Sequence, residues 1–190
     1  MASPLRYTVI AGLLLLLAAL QSVSAEELPT GEKTIYLVSL DGQEQPVGTI
    51  RFQPRPDTSL TDYSLAMDYG RFKDFFLSMK EMKCLEGPEL WCHIPYPYTN
   101  PHTIKADSLG WLEHDLLFMF KGPKEFGANF WNGIYYRMTA SGGVIRGKAM
   151  AVDLNKLASP PDDQSTPPFG EYDIDAINRD ERWLPDLVIR

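Results

Sequence analysis

Only two cysteines and three histidines occur in the chain, and neither type stands at a spacing that signals chemistry. Cys84 and Cys92 lack the Cys-x-x-Cys spacing of thiol–disulfide exchange enzymes, and no thioredoxin-like βαβ pattern surrounds them. His93, His102 and His114 form neither a His-x-His pair nor a His-x3-His pair, the spacings that place two ligands on one face of a strand or helix. There is no Gly-x-Ser-x-Gly elbow for a hydrolase nucleophile. Nucleotide use is disfavoured by the lack of a Gly-x-Gly-x-x-Gly or Walker loop. Lysines and arginines are unclustered, so a nucleic-acid role lacks the basic face it needs. Residues 26–190 also lack an Asn-x-Ser/Thr sequon, which leans towards a bacterial envelope protein over a glycosylated eukaryotic one.

Long apolar runs are scarce too. The one that occurs, TVIAGLLLLLAAL, follows Arg6 and precedes the small residues Val23-Ser24-Ala25. Residues 1–25 therefore read as an export signal cleaved before Glu26, and the run is short for a membrane span. No cysteine follows that position, so a lipid anchor is not expected. The mature chain carries 17 basic and 25 acidic residues. It is expected outside the cytoplasm, in the periplasm first and secreted second, with no transmembrane span after cleavage. Its length suits one domain, which can bury about two thirds of its unfolded surface without metal or many disulfides.

What the sequence does contain is strand signal. KTIYLVSL and VGTIRF flank the turn around Asp41-Gly42 and read as a hairpin. In TDYSLAMDY the residues Tyr63, Leu65, Met67 and Tyr69 alternate with polar or small ones, which puts one face inside. HDLLFMFK, NGIYYRM and GGVIRGKAMAVDL continue the pattern, with Ser141-Gly142-Gly143 as a tight turn. Between them RFKDFFLSMKEMK spaces Phe72, Phe75, Phe76, Met79 and Met82 at a helical period, which predicts one short amphipathic helix packed on the sheet. The expected class is mainly β: a single antiparallel barrel or sandwich over residues 26–158, lipocalin-like if a barrel, with that one helix.

At Ser159 the composition changes. Residues 159–170 form a Pro-rich linker, and residues 171–190 a tail rich in large apolar side chains such as Trp183, Leu187 and Ile189. A tail that apolar is expected to dock back on the domain, the alternative being a segment presented to a partner.

Candidate sites cluster around CLEGPELWCHIPYPYTNPH, residues 84–102. In an oxidising compartment Cys84 and Cys92 are expected to form a disulfide, and closing about nine residues would contribute about 2.5 kcal/mol. Pro88, Pro95, Pro97 and Pro101 forbid helix and bias the segment to extended geometry, with a cis bond open at Tyr96-Pro97. The expectation is a stiff, bridged loop presenting Trp91, Tyr96 and Tyr98, joined by Phe126, Phe130 and Trp131 from the glycine-rich loop KGPKEFGANFW. Aromatic side chains on loops above such folds bind sugars, apolar ligands or protein partners. A metal site built on His93, His102 and His114 with Asp107, Glu113 and Asp115, or on Met79 and Met82 beside reduced Cys84, is the weaker candidate. No cofactor is indicated. The function expected is a non-enzymatic exported binding or interaction module. The alternatives are an extracytoplasmic hydrolase using carboxylates that spacing cannot identify, or a metal-handling envelope protein.

Overall fold

The computed structural model describes residues 27–77 and 81–190. The expected export signal, residues 1–25, lies outside the described residues, as does Met79. In chain order the elements are β1 (Gly31–Val38), β2 (Glu44–Pro54), β3 (Thr61–Met67), β4 (Lys73–Phe76), β5 (Glu81–Glu86), β6 (Leu90–Ile94) and β7 (Thr103–Ile104). They continue with α1 (Gly110–Asp115), β8 (Leu117–Lys121), β9 (Gly133–Ser141), β10 (Val144–Val152), β11 (Ile174–Asp175) and β12 (Asp186–Ile189). The strands pair antiparallel in one sheet that is not closed, in the order β4-β5-β6-β8-β9-β10-β12-β1-β2-β3-β7, with β11 beside β10.

Local chemistry explains the hairpins. At the β1–β2 turn Gly42 has φ +82° and Ser39 exchanges backbone hydrogen bonds with Gly42 and Gln43. At the β9–β10 turn Ser141 pairs directly with Val144, leaving Gly142 and Gly143 at φ +57° and +72°. Two consecutive positive φ values are the requirement of the turn that matches strand twist, and glycine meets it without strain. Opposite Ile35 and Tyr36 of β1 the register slips by one, so Val47 of β2 forms a bulge beside Pro46, which could not donate to a regular ladder.

One face of the sheet encloses the main core, where Ile35 and Leu37 of β1, Ile50 and Phe52 of β2, Trp91 of β6, Ile134 and Tyr136 of β9, and Leu187 and Ile189 of β12 meet. The opposite face of β5, β6, β8 and β9 is covered as well: Met82, Cys84, Cys92, Met119 and Tyr135 pack under Leu154, Leu157, Phe169 and Ile174. Strands buried on both sides read as unbroken apolar runs, which is why LWCHI and LFMFK show little alternation.

Two elements depart from the sequence expectation. Residues 73–76 and 81–86 are not helical but form the strands β4 and β5. Their apolar residues reach different places: Phe72 and Leu85 enter the main core, Met82 and Cys84 the second one, and Phe76 stays 75% exposed. The helical spacing arose from two strands laid end to end. The helix is instead α1, at the start of the segment expected to be a strand from His114 onwards, with Trp111, Leu112, Glu113 and His114 all buried. The chain beyond Ser159 crosses the second core through Phe169 and Ile174, and residues 186–189 enter the sheet as an inner strand between β10 and β1.

Candidate functional site

The bridge between Cys84 and Cys92 forms, but not as a loop strap. The two residues are directly opposite in β5 and β6, both fully buried, so the disulfide ties neighbouring strands across a three-residue turn. The period of two then decides its neighbours: Cys92 faces the second core and Trp91 the main one. Trp91 is fully buried, donates to the Tyr136 hydroxyl at 3.1 Å and lies against Phe120. It is therefore not a surface residue, contrary to expectation, because strand pairing carries it inward. The described peptide bonds are all trans, including Tyr96-Pro97.

Past β6 the chain leaves the sheet, and residues 95–97 form one wall of a cleft of about 530 Å³. Its apolar lining includes Met82, Pro95, Pro97, Phe130, Leu154 and Leu157; its polar groups are Tyr69, Glu81, Lys83, His93, Tyr96 and Asn155. A smaller cleft of about 240 Å³ adjoins it, lined by Leu65, Met67, His102 and Asp115. Tyr69, His93, Pro95 and Tyr96 line both, and so mark a throat between them.

His93 organises the throat. Its Nε2 lies 2.9 Å from the backbone carbonyl of Asp115, which can only accept, so Nε2 carries the proton. Nδ1 is then the acceptor, and the Tyr69 hydroxyl donates to it at 2.9 Å. Burial pulls the His93 pKa down to about 4, against the hydrogen bond to Asp115. Burial also raises Tyr69, with Lys83 opposing. Both are neutral near pH 7, and Tyr69 turns only oxygen lone pairs towards the clefts.

Tyr96 stands beside it with its ring edge-on to Tyr98 and His114 and tilted against Trp111. Its hydroxyl oxygen is buried and has no hydrogen-bond partner among the described residues. Tyr98 holds the outer wall by donating to the Leu157 carbonyl at 2.7 Å.

At the smaller cleft Asp115 accepts from the Tyr63 hydroxyl at 2.8 Å and pairs with His102 Nδ1 at 3.2 Å. Asn100 donates to Tyr63 and to the Trp111 carbonyl, and accepts the backbone N–H of His102, whose φ of +52° is left-handed. Burial is the main reason the Asp115 pKa is raised, against the hydrogen bonds and the His102 charge.

The residues named from sequence thus separate. Tyr96 and Phe130 meet in the cleft with Tyr98 behind, while Phe126 and Trp131 are exposed on the neighbouring loop and do not line it. That loop is held by Lys121, buried in β8, whose ammonium donates to the Gly127 carbonyl. His114 lies apart: Nδ1 donates to the Gly110 carbonyl at 2.7 Å, and Nε2 accepts from the backbone N–H of Phe169 at 3.1 Å. With both ring nitrogens of His93 and His114 committed, neither has a lone pair for a metal. Among the described residues no group of three or more His, Cys, Asp or Glu side chains could hold one. The residues that sequence reasoning missed are Tyr69, Lys83, Leu154 and Leu157, which come from three distant segments and carry no local signature.

No protein-family model matches the chain, nor does a curated protein or a solved structure.

Proposed function

We propose that the protein is a non-enzymatic exported binding module that holds a small, largely apolar ligand in the cleft beside residues 95–98. The observation that carries this is the cleft itself: its volume falls in the range of small-molecule sites, roughly 300–1,000 Å³, and its lining is apolar with a few fixed polar groups. The commitment of the buried carboxylates supports binding over hydrolysis. Glu113 accepts from the Tyr135 hydroxyl and from the Met138 N–H, and Asp115 is held by Tyr63 and His102, so both already carry structural hydrogen bonds. The buried disulfide supports residence in an oxidising compartment, the periplasm in this reading.

The test is saturable uptake of an uncharged apolar dye, Nile red, by the oxidised mature protein, read as fluorescence enhancement. Ala158 is exposed at the cleft wall, so Ala158→Trp should fill the cleft and abolish uptake while circular dichroism is unchanged. Absence of saturable uptake, or uptake indifferent to Ala158→Trp, would overturn the proposal.

A further inference from the structure

Resting on that ligand-binding reading, we infer that the occupant is an uncharged amphiphile whose head is a hydroxyl or carboxamide, read at the throat by Tyr69 and Tyr96. The hydrogen-bond inventory carries the inference. The single proton of Tyr69 is committed to His93 Nδ1, because His93 Nε2 is itself committed to the Asp115 carbonyl. Towards the throat Tyr69 is therefore an acceptor only, and a head group must bring it a proton. The Tyr96 hydroxyl keeps one proton and two lone pairs with no internal partner and is closed off from solvent, so a head group relieves that cost once the ring turns to bring the hydroxyl into the throat.

A hydroxyl or a primary amide can donate to Tyr69 and accept from Tyr96 at once. A carboxylate accepts only and has nothing to offer Tyr69. It would also enter beside the Asp115 carboxylate of the adjoining cleft. An ammonium head could donate to both tyrosines but would be stripped of water next to the Lys83 side chain, which lines the same cleft and is already paired with Asp74. Because Tyr69 and Tyr96 line both clefts while Phe130, Leu154 and Leu157 line only the larger, the head sits at the throat and the apolar body extends over those three residues.

The test uses four probes of equal chain length, decan-1-ol, decanamide, decanoate and decylammonium, each displacing Nile red from the oxidised mature protein at pH 7. The alcohol and the amide are expected to bind about tenfold more tightly than either ion. Tyr69→Phe should erase that preference, the four probes then displacing the dye at similar concentrations. Tyr96→Phe should weaken the alcohol and the amide by about threefold to tenfold without lowering the melting temperature, since no internal hydrogen bond is lost. Equal or tighter binding of decanoate or decylammonium overturns the inference and leaves the cleft a ligand site, as does uptake of Nile red that none of the four displaces. Absence of Nile red uptake overturns the ligand-binding reading itself.

Discussion

Glu89, in the turn between β5 and β6, accepts the backbone N–H of Trp183 at 2.8 Å with one carboxylate oxygen and meets Arg182 at 2.8 Å with the other. The Arg182 guanidinium in turn lies 3.9 Å over the Phe120 ring. The Trp183 ring covers Gly87 so closely that a Cβ there would stand 2.5 Å from it. The disulfide-bridged hairpin and the C-terminal segment therefore hold each other in place just before β12 begins.

Removing residues 186–190 should abolish cooperative unfolding, because among the described residues β12 supplies the only ladder between β10 and β1 and buries Leu187 and Ile189 completely. Chemical denaturation followed by circular dichroism checks this, and a truncated chain with an unchanged transition would refute it. Gly87→Ala is the milder version. It should displace Trp183 and lower stability by about 1–3 kcal/mol, the usual range for overpacking.

Replacing both cysteines by serine, or reducing the bridge, should cost about 2.5 kcal/mol by the loop-closure argument. The fold should persist, since β5 and β6 also pair through Leu85, Trp91, Glu86 and Leu90. Equilibrium unfolding of oxidised and reduced protein measures the difference.

Stability should fall on acidification below neutrality. Burial lowers His93 and His114 to about 4 from the ordinary value of 6.5, so between those values the unfolded chain binds more protons than the native one. Their contribution is fully present above pH 6.5 and is lost as the pH drops towards 4, at up to about 1.4 kcal/mol per pH unit for each ring. Glu113 and Asp115 oppose the trend: burial raises both, so the native state takes up their protons first and gains stability as the pH falls through the raised values. Melting temperature measured from pH 7.5 to 4.5 should decline, and His93→Gln should flatten the decline.

Glu113→Ala should destabilise by about 2–4 kcal/mol, because it strands the Tyr135 hydroxyl and the Met138 N–H inside the protein. Glu113→Gln keeps one acceptor oxygen for the Met138 N–H and turns its amide to donate to the Tyr135 hydroxyl oxygen, so it should cost less than Ala. Thermal unfolding of the two variants checks the ranking.

Much of the sheet was legible in the sequence, since Tyr63, Leu65 and Met67 alternate as a half-buried strand must, and Gly142-Gly143 fits its turn. Phe72 to Met82 misled because periodicity does not record where one strand stops and the next begins. Helix α1 left no periodic trace, as four of its six residues are buried in succession. Tyr96 and Phe130 were found as aromatics on loops. Tyr69 and Leu157 were not, because only tertiary packing brings them to the same cleft.

The position of β12 also sets the order of events as the chain is made. On its β12 side Val38 must wait for Asp186, and until then, among the described residues, β1, β2, β3 and β7 share no ladder with β4, β5, β6, β8, β9 and β10. Pairings so far apart in sequence are slow to form. The two parts of the sheet can therefore be zipped together only after residue 186 has been synthesised, so joining them is a late event in the life of the chain.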